Sequence, residues 1–228
     1  MRTLTPLLAI VVLATLAACT PTVPPAVPVA SSSPKPTETV EPVVDDPDPV
    51  PDLIVISRAS WSILDSEGAV TDTFDYQTDP AAAVARVTEV FGTDPAISND
   101  EGNFHEWPSV IYTWSGFSIV DYIGGGSIPF GADYEVASSA ATVNGIGIEG
   151  PGGVAVGDST ATATAAGGTA FSEMYDVTVS WIEIDAIADP SPDWAEWVGG
   201  PRIFVRLALD APSGTVTIVS APMVNYYV

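Results

Sequence analysis

Residues 53–76 read LIVISRASWSILDSEGAVTDTFDY, and apolar side chains recur in them at every second position. Alternation of this kind marks a strand with one buried face. Leu53, Val55, Ala59, Trp61 and Ile63 are expected on that face. Asp65–Gly68 (DSEG) reads as a turn, after which Val70, Phe74 and Tyr76 share a face of the returning strand. The stretch is therefore a hairpin with one side turned to a core.

DPAAAVARVTEVFG follows, residues 79–92, with the period of a helix. Asp79 suits its cap, Pro80 its first turn and Gly92 its end, while Val84, Val87 and Phe91 fall on one face. A polar loop leads to SVIYTWSGFSIVDYI, residues 109–123, which returns to strand character with Ser115-Gly116 as a turn or bulge. Further on, GIGIEGPGGVAVGDS reads as strand, Gly-rich turn and strand. STATATAAGG is a short helix ended by Gly167. In DVTVSWIEIDAI the apolar parity switches after Trp181, which calls for a bulge there. RIFVRLALDAPSGTVTIVS is a hairpin with Ile203, Val205, Leu207 and Leu209 inward and Ala211–Gly214 turning. The predicted class is α+β, with antiparallel sheets made from hairpins and one or two short helices. The order strands, helix, strands occurs twice, so residues 52–133 and 134–228 are expected to form two α+β halves, candidates for pseudo-repeats.

The chain ahead of residue 52 is of another kind. Residues 20–51 contain ten prolines and no aromatic residue. Such a segment has too little apolar surface to offset its chain entropy and reads as an unfolded tether with polyproline II character. Before it, Arg2 is followed by an uncharged run from Leu7 to Ala17, far short of the roughly 20 residues of a membrane-spanning helix. A basic start, a short apolar middle and small residues before a cut describe an export signal.

Leu16-Ala17-Ala18-Cys19 resembles the lipobox of bacterial lipoprotein precursors, and Cys19 is the one cysteine of the chain. The resemblance implies a signal peptide over 1–18 and a diacylglyceryl group on the Cys19 sulfur, with acyl chains such as palmitate. The mature chain would begin at that residue, on the extracytoplasmic side of the cell membrane. Two acyl chains hold a protein stably where one holds it weakly, at about 0.8 kcal/mol per buried CH₂. With Cys19 so used, the remainder has no thiol for a disulfide and is held by its core alone. The VGDS-helix-Gly stretch, about a dozen residues, is similar to the repeat unit of envelope lipoproteins of the BamE and β-lactamase-inhibitor-like type, without their second helix.

Charge narrows the partners. There are 29 acids against 6 bases, a formal net charge of −23. Nucleic acid is excluded, since its phosphates demand a basic patch. The domain is not expected to lie flat on anionic lipid either, because like charges repel across a Debye length of roughly 8–10 Å. The membrane is a partner through the N-terminal lipid only; an envelope protein or a glycan is the expected ligand of the domain.

Recognisable chemistry is sparse. His105, in DEGNFHEWP beside Glu106, is the only histidine, and there is no GxSxG nucleophile elbow. One histidine and one lipidated cysteine exclude zinc sets built from several His or Cys. Neither DSEG nor SNDEGN has the spacing of an EF-hand loop, although a structural Ca²⁺ site elsewhere stays open. Gly145, Gly147 and Gly150 match GxGxxG, but Pro151-Gly152-Gly153 and Glu149 stand where a phosphate-binding helix should begin, so turn glycines are the better reading. Gly124–Gly126 lack the Lys and Ser/Thr of a phosphate loop. Glu183 and Asp185, at i and i+2 of one strand, are expected on a solvated sheet surface. Trp194 and Trp197 are candidates for stacking on sugar or anchoring a partner, with core-edge covering as the alternative.

These readings predict an exported, lipid-anchored lipoprotein of the cell envelope whose acidic domain is a non-catalytic binding or structural module. No catalytic residue, metal or cofactor is assigned. The rival reading is an extracytoplasmic hydrolase that uses two carboxylates. A solute-binding lipoprotein fits less well, because two α/β lobes need many more helices.

Overall fold

The computed structural model describes residues 49–102, 107–123, 132–171, 181–188, 202–210 and 213–225. The opening stretch folds as three strands rather than two: β1 (Pro51–Ile56), β2 (Ser60–Asp65) and β3 (Val70–Asp75), an antiparallel meander. Ser57–Ala59 turn the chain between β1 and β2, and the Ser57 hydroxyl donates to the Ser60 carbonyl at 2.6 Å. That turn resets the alternation. Ile54 and Ile56 are therefore the buried residues of β1, not Leu53 and Val55, while Trp61 and Ile63 are buried as expected. The DSEG turn closes through Asp65, whose carboxylate accepts the N–H groups of Glu67 and Ala69. Val70 is exposed just beyond this turn, whereas Phe74 packs on the core and Tyr76 is buried.

Helix α1 (Ala81–Phe91) ends at Gly92 as expected, but its cap position is Pro80 rather than Asp79, and no side chain makes a capping hydrogen bond there. The Asp79 carboxylate accepts the Ala81 N–H at 2.8 Å, and Gly92 closes the helix in the left-handed region at φ 65°. Its buried face is Ala83, Val87 and Phe91, with Val84 at the margin. The Phe91 carbonyl, without an intrahelical partner, accepts from the Asn144 side chain at 2.6 Å.

The polar stretch after α1 contains strand β4 (Ala96–Asp100), paired along its length with β5 (Ser109–Trp114). All five residues of β4 are exposed, so it carries no apolar alternation for a reader of the sequence to find. Strand β5 turns into β6 (Phe117–Tyr122) through Ser115 and Gly116, both at positive φ, as a two-residue hairpin requires. Then come β7 (Tyr134–Ser138), and β8 (Thr142–Val143) with β9 (Ile146–Glu149) joined by the Asn144-Gly145 turn. Residues 154–158, expected as strand, form a turn instead, in which Asp158 accepts the Ala155 N–H. Helix α2 (Thr160–Ala165) is capped by Ser159. Strands β10 (Thr169–Phe171), β11 (Trp181–Ala188), β12 (Arg202–Asp210) and β13 (Thr215–Asn225) complete the described chain.

These strands form two sheets. The first runs β3-β2-β1-β9-β8, and the second β10-β11-β12-β13-β7-β6-β5-β4. Apart from the parallel pair β1–β9, every pairing is antiparallel. The class is α+β, dominated by strands. Each sheet draws strands from both 52–133 and 134–228, so the two halves interleave: β9 extends β1, and β7 lies between β6 and β13.

Both sheets and both helices contribute to one buried cluster. At its centre Trp61 stacks on Phe74 of its own sheet with ring centroids 4.4 Å apart, and meets Phe117 of the second sheet at 6.0 Å. Its indole N–H donates to the Tyr134 hydroxyl at 3.1 Å, also across the sheets. Phe91 of α1 packs edge-on against Trp114 and Phe117.

Trp61→Phe is expected to lower stability by about 1–3 kcal/mol, since it strands a buried hydroxyl as well as removing a hydrogen bond. Urea denaturation checks this. In a cycle with Tyr134→Phe, the double variant should lose less than the sum of the two single losses.

Candidate functional site

Among the residues singled out in the sequence, Cys19, His105, Glu106, Gly124–Gly126, Trp194 and Trp197 lie outside the described residues. The GxGxxG glycines are described, and each has a local reason. Gly145 sits at φ 89° in the β8–β9 turn. A side chain at Gly147 would come within 3.0 Å of Leu53, and one at Gly150 within 3.1 Å of Val219 in the facing sheet. No phosphate-binding helix follows them, only a 3₁₀ turn at Pro151–Gly153. Among the described residues no group of His, Cys, Asp or Glu could hold a metal ion.

Glu183 and Asp185 correct the expectation of a solvated pair. Glu183 is only 3% exposed and stands opposite Arg206 in the β11–β12 register. The bulge of β11 lies between Ile184 and Ile187, not at Trp181. Within it, Asp185 takes φ 56°, a left-handed conformation uncommon outside glycine. Past the bulge the i, i+2 rule no longer holds, and Asp185 turns to Arg58 in the β1–β2 turn of the other sheet. The Arg58 guanidinium pairs with the Asp185 carboxylate and donates to the Asp185 carbonyl at 3.2 Å; the Arg58 N–H reaches the carboxylate at 3.4 Å.

Arg58 of this clamp lines a cleft of about 190 Å³. Arg58 and Ala59 line it from the β1–β2 turn, and Asp75, Tyr76 and Gln77 from the end of β3. Ala132, Ile187, Ile203 and Pro222 complete the wall from the second sheet and its approach. The Tyr76 hydroxyl is turned away to the Ser57 carbonyl at 3.0 Å. Burial, with the neighbouring Tyr134 and Glu135 charges behind it, holds the Tyr76 phenol well above its ordinary pKa. Tyr134 is pushed up to about 12, by burial against the opposing indole hydrogen bond.

Among the described residues, two carboxyls are shifted upward. Asp121 is raised first by burial and then by the charges of Asp79 and Asp133. Glu135 is raised by burial, which outweighs its hydrogen bond with Tyr122 and the attraction of Arg206. Neither is among the residues lining the cleft. The other arginine ion pairs are those of Arg86, with Asp72 at 2.9 Å and Glu89 at 2.8 Å, while Arg206 donates to the Ser220 hydroxyl at 3.3 Å.

Sequence reading passed over Arg58, Asp75, Ile187 and Ile203 as cleft residues. The one local signal was Arg58 itself, a lone cation interrupting an apolar alternation.

Compared with known proteins, the chain matches no protein-family model, no curated protein and no solved structure.

Raised carboxyl values fix the direction of a pH effect. The folded chain binds a proton at Glu135 and Asp121 more tightly than the unfolded chain does. Their contribution to stability is therefore fully present below the ordinary values, 4.5 and 3.8, and is lost as pH rises through the raised ones. Glu135→Gln should raise the melting temperature at pH 7 by about 2–4 °C, and Asp121→Asn by less, because water screens it better. Both gains should vanish near pH 4 in thermal unfolding of variants and wild type.

Proposed function

We propose that this chain is an exported lipoprotein, anchored through Cys19 to the extracytoplasmic side of the cell membrane, whose acidic domain is a non-catalytic binding or structural module. The observation that carries the address is the position of the only cysteine, directly after Leu16-Ala17-Ala18 and an apolar run too short to span a bilayer. Among the described residues, no helix is long and apolar enough to cross a membrane. The proline-rich stretch 20–51 serves as the leash between lipid and domain, and at about 3.1 Å per residue it reaches tens of ångströms. A net charge of −23 keeps the domain off an anionic surface.

For the domain, binding is favoured over hydrolysis by where the carboxyls lie. A general acid needs a raised pKa in a cleft that admits substrate. Asp121 and Glu135 have raised values but do not line the cleft, and the cleft acid Asp75 is the exposed last residue of β3. The cleft itself is of a size to hold one side chain, below the 300–1,000 Å³ typical of small-molecule sites.

Intact mass and membrane fractionation of the protein from its native host test the address. Wild type should begin at Cys19, carry the mass of its acyl chains and pellet with membranes. Cys19→Ser should lose the added mass and the membrane association. Recovery of wild type with a bare thiol and in the unsedimented fraction would overturn the reading.

A further inference from the structure

The cleft between the β1–β2 turn and the β11 bulge has a chemistry that selects its occupant. Its walls include Ile187, Ile203 and Pro222, and Ile187 is 41% exposed, so apolar surface faces an entering group. Its charged lining residues are Arg58 and Asp75. Arg58 is a poor anion site, because Asp185 engages its guanidinium with both carboxylate and carbonyl. The described ion pairs involve Asp72, Glu89 and Asp185; the Asp75 carboxylate accepts the Gln77 main-chain N–H at 2.8 Å, and the Thr78 hydroxyl donates to the Asp75 carbonyl. With the Arg58–Asp185 pair neutral, Asp75 leaves one negative charge in a lining that includes Ile187, Ile203 and Pro222.

Three candidate occupants can be compared. An anion would meet a neutralised arginine inside the field of a strongly acidic protein. A purely aliphatic group would fill the cleft but take water from the Asp75 carboxylate without replacing it, which is costly. A group with an aliphatic stem and a cationic head satisfies both, as lysine side chains do when they lay their methylenes along apolar surface. A volume of about 190 Å³ suits one such side chain, and the net charge of −23 draws a basic partner toward it.

We propose that the cleft receives a lysine side chain from a basic polypeptide partner, its stem against Ile187, Ile203 and Pro222 and its ammonium group against Asp75. This assignment rests on the binding-module reading and names the ligand class for it.

The test uses the full chain in detergent micelles, with isoleucine methyl groups labelled for NMR, and three capped tripeptides: Gly-Lys-Gly, Gly-norleucine-Gly and Gly-Glu-Gly. The lysine peptide should shift the Ile187 and Ile203 methyl signals saturably. The norleucine peptide should bind about fivefold or more weakly, and the glutamate peptide should leave the signals in place. Asp75→Asn retains an acceptor for the Gln77 N–H and should weaken the lysine peptide to the norleucine level. Ile187→Ala, at an exposed position, should weaken both, and gives a second readout if the Asp75 variant fails to fold. Equal binding of lysine and norleucine peptides, or indifference to Asp75→Asn, overturns the lysine assignment while leaving a binding cleft. Binding of a free alkyldiamine with no binding of the lysine peptide overturns the polypeptide source. If no probe moves the two methyl signals, the cleft is not a site for this class. That outcome is independent of the mass measured at Cys19.

Discussion

With no disulfide available, the domain is held by its core, and within that core the aromatic contact at Trp61 joins the two sheets. Its ring joins Phe74 in its own sheet to Phe117 in the facing one, and its N–H meets the Tyr134 hydroxyl. Tyr134 in turn packs against Tyr76 at 5.5 Å, and Phe117 against Phe91 of α1. One side chain therefore touches the core portions of both sheets and lies one ring away from the helix. The hydrogen bond adds direction to what would otherwise be non-directional apolar burial. A buried hydroxyl left without its donor is costly, so the register between the sheets is fixed along with their contact.

The same geometry explains what could be read from the chain and what could not. Hairpins with a buried face and a tight turn were legible, because Asp65–Gly68 and Ser115-Gly116 name their own turns and Trp61, Phe117 and Leu207 repeat at period two. Helix α1 announced its end through Gly92, and its start to within one residue through Asp79-Pro80, with Pro80 at the cap position. Strand β4 was illegible for a physical reason: an exposed edge strand is held by main-chain hydrogen bonds to β5, and those have no side-chain signature. The parity of β1 was misread because three residues, Ser57–Ala59, suffice to turn a chain and shift every following side chain. The bulge of β11 was anticipated near Trp181 but sits four residues later, at Asp185. There a long-range ion pair with Arg58 sets the backbone, and no local pattern reports it.

Charge is distributed with a similar logic. In a chain so acidic, the few arginines are structural resources. Arg58 ties the turn of one sheet to the bulge of the other, Arg86 bridges Asp72 and Glu89, and Arg206 lies among Glu183, Ser220 and Glu135. Many of the described acids are exposed, where water carries their charge at little cost. Glu135 and Asp121 are exceptions: burial raises both, and only Glu135 has a cation acting on it. They make the domain more stable in mild acid than its surface charge alone would suggest.

The candidate site arises where the regular pattern fails. A strand run that alternates perfectly leaves no room between layers, since interiors pack like crystals. At the β1–β2 turn and the β11 bulge both sheets depart from that pattern at the same point, and the space between them is the cleft. The clamp that holds the two irregularities together also neutralises the cleft's only guanidinium, which leaves Asp75 to set the sign of what can enter. The ion pair thus shapes the site twice, first by fixing its walls and then by removing the positive charge that would repel a cation. Neither role is visible from Arg58 or Asp185 alone, 127 residues apart in the chain; each appears only once the bulge brings them together.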